Sequence, residues 1–266
     1  MPRLDEITYS RQVCIDAVRD YYKFLIQVHL PEDCIDEPPE GGWPHITPEN
    51  TPLGKTDEVV ALLRHMPYLR YDHGAQFVEG APLTTLVDWH YRLQVSMRTP
   101  RGEGEIDEGL RLVTEGLLFL EAPSSIPAHV MGLATGGRDC ERFLLDTHLG
   151  IIYWLDCPSQ VAGHAPWEAY PEGVLDSAWD YAETEEEALW RDCPAWSVPD
   201  FFEMLKDQFR KVNIFPTGTG EVRDVWSLKA EKVDKIPETF REHGWPDLEK
   251  YRKQECLDAI QVVYWR

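Results

Sequence analysis

The chain of 266 residues is 43% apolar, which excludes a globally disordered protein because that fraction supports a sizeable core. Its formal charge of −21, from 47 acidic and 26 basic residues, argues against binding to nucleic acid or to an anionic membrane, since such binding depends on Lys and Arg neutralising phosphate. The same charge favours a basic protein partner or a cationic ligand, unless it serves only solubility.

Cysteine usage and the N-terminal segment bear on the cellular compartment. The six cysteines include no C-x-x-C pair, so we interpret them as small buried hydrophobes in a reduced protein. Residues 1–12 lack the apolar core of a signal peptide, and no stretch approaches the length of a membrane span. We therefore predict a cytoplasmic protein without membrane contact.

Two helices and a packed loop are predicted near the start of the chain. The first helix covers about residues 10–30, where Ser10 can cap it and apolar residues recur at helical spacing. Residues 38–52 are dense in Gly and Pro and predict a loop that packs Trp43 down. The second helix starts at Thr56, with acidic residues in the first turn, where the helix dipole favours them.

The middle of the chain is predicted to be sheet. Residues 86–97 largely alternate between apolar and polar, residues 110–120 and 130–134 are apolar runs, and residues 143–155 form two runs around a turn that ends at Gly150. No helical pattern separates these runs, which favours an antiparallel meander over βαβ units. The predicted fold class is therefore α+β, with an antiparallel β-meander packed with helices.

The C-terminal part is predicted to be mainly helical. Residues 160–190 combine prolines, a glycine and an acidic cluster, and predict a long acidic connection. A helix follows Ser197, which can cap it together with Asp200 in the capping-box position, and a last helix starts near Trp245. The chain has no internal repeat, and we predict a single α+β domain over residues 1–266.

A histidine beside a carboxylate is the leading catalytic candidate. In a strand, residues two apart share a face, so Asp88 and His90 would point the same way. A carboxylate next to an imidazole raises its pKa and can orient a general base. The alternative is an ordinary surface pair without function, and only geometry can decide between the two.

A second pair, Asp146 and His148, has the same spacing but falls in the predicted hairpin turn, where Asp and His are also typical turn formers. We treat both as candidate ligand-binding residues. The sequence has no zinc-type ligand spacing, no phosphate loop and no dinucleotide fingerprint. It therefore predicts no metal site and no cofactor.

Tryptophan supplies the other candidate binding residues. The chain has 10 tryptophans, and several fall in loops or near strand ends, including Trp43, Trp89 and Trp154. Aromatic walls with a few acidic groups suit a cationic or apolar small-molecule ligand. The alternative is a tryptophan-rich core with connections packed over it.

Several segments resemble known families. The chain is similar to a family of uncharacterised proteins from filamentous fungi in GGWP at residues 41–44, LDTHLG at 145–150, VPDFF at 198–202 and GWP at 244–246. It also resembles the SUKH superfamily of fungal cell-wall-synthesis regulators and bacterial toxin-immunity proteins. That resemblance rests on an early helix, a meander and a late helix, with residues Leu145, Asp146, Gly150, Tyr153, Trp154, Phe201, Phe202 and Leu205.

Two functional hypotheses follow. The first is an intracellular interaction or regulatory module whose acidic surface binds a basic protein, as the charge and the SUKH-like layout suggest. The second is a cofactor-independent enzyme of fungal specialised metabolism, such as a cyclase, isomerase or hydrolase, which uses acid–base chemistry at Asp88 and His90 in a tryptophan-rich pocket.

Overall fold

The fold is α+β, as predicted, with helices packed on small antiparallel sheets. A computed structural model describes residues 2–70, 78–100, 102, 104–116, 126–162 and 173–266. The helices in this part of the chain are α1 (Arg11–Val28), α2 (Asp57–His65), α3 (Trp89–Ser96), α4 (Glu108–Glu115), α5 (Ser159–Ala162), α6 (Ala178–Tyr181), α7 (Glu185–Arg191), α8 (Val198–Arg210), α9 (Ala230–Val233), α10 (Lys235–Glu242) and α11 (Lys253–Trp265), with 3₁₀ turns at Leu4–Glu6 and Pro48–Asn50.

The strands pair antiparallel throughout the described residues. They are β1 (Ile35–Asp36), β2 (Tyr68–Leu69), β3 (Glu79–Ala81), β4 (Thr84–Leu86), β5 (Val130–Gly132), β6 (Ala134–Gly136), β7 (Phe143–Asp146), β8 (Ile151–Trp154), β9 (Ala195–Ser197), β10 (Ile214–Pro216) and β11 (Val222–Asp224). The largest sheet has the order β5-β7-β8-β9, a second has the order β3-β4-β6, and β1-β2 and β10-β11 form two-stranded ribbons.

The helices that the sequence predicts best are those with a local cap. Ser10 caps α1, Thr56 caps α2, and the Ser197 hydroxyl accepts a hydrogen bond from the Asp200 amide at the start of α8. Each cap satisfies an amide that the first helical turn leaves without a partner. These three predictions are confirmed.

Two predicted strands are helices, and the predictions were wrong for the same reason. Within residues 86–97 the chain forms β4 only up to Leu86, and then Asp88 caps α3. Within residues 110–120 the described part is α4, capped by Asp107. An Asp at the N-cap and the packing of one helix face outweigh a short alternating pattern.

The hairpin over residues 143–155 is confirmed as β7 and β8, paired from Phe143 with Trp154 to Asp146 with Ile151. Gly150 has φ +72°, the left-handed conformation that glycine adopts without strain. The meander is only partly as predicted, because β5 and β6 join different sheets although Leu133 alone separates them. This split brings β6 beside β4, at the edge of a cavity described below.

The hydrophobic core lies between α1, α8 and the hairpin. Tyr21 of α1 contacts Phe202 of α8 with ring centroids 5.1 Å apart, and Phe201 contacts Phe143 of β7 at 5.0 Å. The same buried cluster reaches Ile260 of α11. It therefore includes residues from near both ends of the chain, while the single domain over residues 1–266 stays a prediction.

The predicted acidic connection and last helix need correction. The described part of residues 160–190 includes α6 and α7, and the acidic cluster forms the first turn of α7 behind the cap of Thr184. The last helix, α11, starts at Lys253 rather than near Trp245, which is buried instead. None of the helices in the described part of the chain combines the length and apolarity that a membrane span requires.

Candidate functional site

A cavity of about 580 Å³ opens where β3, β4 and β6 meet the β10–β11 ribbon and the start of α3. Its volume is in the range of small-molecule sites, roughly 300–1,000 Å³. Apolar side chains of Leu69, Val78 and Leu83 form part of its wall. Its polar lining includes Glu79, Asp88, Arg92, Arg138, Glu221 and Arg223.

Glu79 is a buried polar residue in the lining of this cavity. It lies on β3 and is only 6% exposed. Its Oε2 accepts hydrogen bonds from the Val222 amide at 2.7 Å and from Arg223 Nη1 at 2.9 Å. Among the described residues, no donor reaches its other oxygen, Oε1. Burial raises the pKa of Glu79, although the bonds from Val222 and Arg223 oppose that rise.

Arg223 is shared between two carboxylates. Besides its bond to Glu79, its Nη2 lies 3.2 Å from Glu221 Oε2. Contacts between backbones hold this arrangement, since the Glu79 amide donates to the Gly220 carbonyl and the Leu83 amide donates to the Val222 carbonyl. These two bonds hold the β10–β11 ribbon against the β3–β4 hairpin.

Asp88 lines the same cavity from the start of α3. Its Oδ1 accepts the Tyr91 amide at 2.9 Å, so the carboxylate caps the helix while it faces the cavity. One turn along the helix, Arg92 Nη2 donates to Thr135 Oγ1 at 3.1 Å. The cap fixes the position of the Asp88 carboxylate relative to β6.

The rim is formed by the loop after β6. Gly137, Arg138 and Asp139 are exposed and line the opening. Arg138 makes no ion pair with any residue in the described ranges. It is therefore a cation placed at the mouth of the cavity.

His90 does not lie in the cavity with Asp88. Because α3 replaces the predicted strand, the two residues do not share a strand face. The His90 ring lies 3.9 Å from the Trp43 ring and 4.9 Å from the His45 ring. Burial, and then the nearby His45, lowers the pKa of His90. The strand geometry that paired Asp88 with His90 is wrong, and only Asp88 is placed at the cavity.

The candidate tryptophans lie in the core. Trp43, Trp89 and Trp154 are buried, and none of them lines the cavity. Their indole N–H groups donate to the Met66 carbonyl, the Gly132 carbonyl and the Glu141 carboxyl, respectively. The described lining of the cavity is mainly aliphatic, polar and charged, and Tyr91 is its aromatic residue, where the sequence predicted tryptophan walls.

Asp146 and His148 lie in the hairpin turn, away from the cavity lining. The Asp146 Oδ1 accepts the amides of His148 and Leu149, which is the turn-forming role. Its Oδ2 pairs with Arg191 at 2.7 Å. Burial on its own raises the pKa of Asp146, but hydrogen bonds from His129 and Arg191 outweigh it and lower the pKa to about 2. A ligand role for Asp146 and His148 stays a prediction.

Sequence reasoning missed Glu79 and Arg223. They are 144 positions apart along the chain, and neither belongs to a recognisable motif. The one local signal is that Glu79 interrupts an apolar stretch beside Val78, because an acid in such a place is buried and needs a partner.

Within the described residues, no group of three or more His, Cys, Asp or Glu side chains is arranged to hold a metal ion. Comparison of the chain with protein-family models, with curated proteins and with solved structures finds no match. The resemblances to the fungal family and to the SUKH superfamily stay predictions, and function must follow from the chemistry of the cavity.

Proposed function

We propose that the chain binds a small organic molecule in the cavity between β3, β6 and the β10–β11 ribbon and exchanges a proton with it through Glu79. The observation that carries this proposal is a buried carboxyl residue in the cavity lining whose described donors reach only one of its two oxygens. Such an arrangement matches the acid–base class of the second hypothesis, with Glu79 in the place that His90 was expected to take.

The environment of Glu79 suits a proton-transfer group. General acids and bases work best when their pKa lies near the working pH, and burial moves the pKa of a glutamate towards that range. The bonds from Val222 and Arg223 hold the group in one orientation. Asp88 supplies a second carboxylate in the same cavity, and two carboxyls in different environments can divide acid and base roles.

A thermal-shift screen of a metabolite library tests the proposal directly. A hit should raise the melting temperature of the natural protein, and Gly137→Phe should abolish the shift. A Cβ added at Gly137 would meet no other heavy atom within 4 Å, and Gly137 is exposed at the rim, so Phe can be introduced there without replacing a core residue. Hits that stabilise the natural and Gly137→Phe proteins equally would place binding elsewhere and contradict the proposal.

A pair of matched carboxyl variants separates catalysis from binding. Glu79→Gln keeps an acceptor for Val222 and Arg223 but removes the transferable proton, so turnover of a hit should be lost while folding remains. Glu141→Gln is the control, because Glu141 is another largely buried carboxyl with a raised pKa that does not line the cavity. Equal turnover by both variants would remove Glu79 from the chemistry.

A second proposal is that the chain is an interaction module, as in the first hypothesis from the sequence. On α7, Glu185 and Glu186 lie one turn before Leu189, so the three side chains share a surface. Leu189 is 60% exposed, and neither glutamate makes an ion pair within the described residues. An apolar side chain beside unpaired acids supports docking of a basic, amphipathic protein segment.

Fluorescence anisotropy with a labelled Lys- and Leu-rich helical peptide tests the module. Binding should weaken as salt rises, because screening reduces the attraction between exposed charges. The double variant Glu185→Lys, Glu186→Lys should abolish binding, and the matched pair Glu255→Lys, Asp258→Lys on α11 should not. Equal loss in both double variants would mean that net charge alone attracts the peptide.

A further inference from the structure

The described lining of the cavity carries one more acidic group than basic groups. Its described lining has four carboxylates against three guanidinium groups, from Glu79, Asp88, Asp139 and Glu221 and from Arg92, Arg138 and Arg223. Two of those carboxylates already hold Arg223. The chain as a whole has a net charge of −21, and a negative potential over the surface raises the local concentration of cationic ligands.

The open oxygen of Glu79 is the polar feature that points to a particular ligand group. Glu79 is more than nine-tenths buried, and the two donors it has both reach Oε2. Glu79 lines the cavity, and its Oε1 can accept a further hydrogen bond, because both oxygens of an ionised carboxylate are acceptors. An N–H of a cationic ligand satisfies it with a charge-assisted bond, which is stronger than a neutral one.

The apolar part of the lining suits a hydrocarbon. Leu69, Val78 and Leu83 line the cavity, and burying apolar ligand surface against them is favourable. A ligand that matches both the carboxyl and the apolar lining has an ammonium group and an apolar body.

We propose that the cavity selects a small organic amine, whose ammonium N–H donates to Glu79 Oε1 and whose apolar body lies against Leu69, Val78 and Leu83. This inference rests on the proposed small-molecule site and names its ligand class. The positive charge of Arg138 at the mouth repels a cation and lowers the affinity for an amine. Substitution of Arg138 should therefore raise amine affinity, whereas substitution of Glu79 should lower it.

Isothermal titration with three probes of one shape tests the ligand class. The probes are 2-phenylethylamine, 2-phenylethanol and phenylacetate, which present a cation, a neutral group and an anion on the same body. The amine should bind about tenfold more tightly than the alcohol, the margin expected when a hydrogen bond gains a charge, and phenylacetate should bind most weakly.

Three variants assign that preference to the cavity. Glu79→Gln should remove the amine's advantage over the alcohol, whereas Arg138→Gln should increase amine affinity by roughly two- to fivefold, as removal of a like charge at an exposed site predicts. Gly137→Phe should weaken all three probes. Glu141→Gln, the control, should leave them unchanged. Arg138 is exposed, so Arg138→Gln should keep the melting temperature of the natural protein, which makes this test independent of any folding defect in Glu79→Gln.

The outcomes distinguish the ligand class from the site. If the alcohol or phenylacetate binds most tightly and Gly137→Phe blocks it, the cavity is a ligand site but the amine inference is overturned. If the natural protein binds none of the probes, the amine inference is likewise overturned, while the library screen still decides the site. If amine binding survives both Gly137→Phe and Glu79→Gln, the inference and the proposed site both fail.

Discussion

Asp146 and Glu79 are two buried carboxylates that pair with arginine, and they differ in how completely the carboxylate is satisfied. In the hairpin turn, Asp146 has donors on both oxygens, from Arg191 and from two backbone amides. In the cavity, Glu79 has donors on one oxygen only. The pKa is accordingly lowered for Asp146 and raised for Glu79. We therefore expect Asp146 to be needed for stability and Glu79, beside the cavity, to be available for a ligand.

Removing the arginine of the saturated pair should produce the largest effect. Arg191→Leu leaves Asp146 buried without its cation and also removes the bond from Arg191 Nη1 to Tyr153 Oη. Breaking a buried pair from one side costs about 3–5 kcal/mol, and urea denaturation at neutral pH should show a loss of that size.

The control for Arg191→Leu is an exposed pair. Arg252→Leu removes the partner of Glu255 on the surface, where ion pairs contribute about 0–1 kcal/mol. Similar losses in the two variants would show that Asp146 is not the saturated, stabilising acid that its contacts indicate.

Glu141 is intermediate between Asp146 and Glu79, and its ionisation should have the next largest effect on stability. Its described hydrogen bond to a side chain comes from Trp154 Nε1, and burial raises its pKa from 4.5 to about 7 despite that bond. Because the folded pKa is raised, the fold favours the protonated form. The stabilising contribution is complete below the unfolded pKa of 4.5 and is lost as the pH rises through about 7.

The expected loss is on the order of 3 kcal/mol between pH 4.5 and 8, because one pKa unit corresponds to about 1.4 kcal/mol. Denaturation curves across this range should show the decline in the natural protein and a smaller decline in Glu141→Gln, whose amide does not titrate. Parallel curves for the two proteins would mean that Glu141 is solvated and does not contribute to this pH dependence.

The third prediction concerns the turn that contains Asp146. Gly150 has φ +72°, its amide donates to the Asp146 carbonyl, and an added Cβ would lie 2.9 Å from the Tyr9 nitrogen. Gly150→Val therefore combines backbone strain with a steric clash and should cost on the order of 1–3 kcal/mol. Gly137→Val, at a glycine with open space and without positive φ, should cost far less. Equal losses would contradict the role of the turn.

These differences also explain what could be predicted from sequence. Ser10, Thr56 and Ser197 act on amides a few residues away, and a local signal of that kind is visible in one sequence. The cavity depends instead on Glu79 meeting Arg223 across 144 positions, which no local pattern encodes. Asp88 was chosen as a candidate because residues 86–97 were predicted to be a strand. The segment is the helix α3 instead, and Asp88 lies at the cavity as the N-cap of that helix.

Substitution of Glu79 should have the smallest effect on stability, although it should have the largest effect on ligand binding. In Glu79→Gln the amide oxygen can still accept from Val222 and Arg223, and Arg223 keeps its partner Glu221. The substitution also removes the cost of burying a charge. The free energy of unfolding at neutral pH should therefore change by less than about 1 kcal/mol in either direction, within the range of ordinary substitutions. Urea denaturation measures it beside Arg191→Leu. A loss as large as that of Arg191→Leu would show that Glu79 is a second structural acid, whereas a small change together with lost ligand binding matches a carboxyl retained for function at little benefit to the fold.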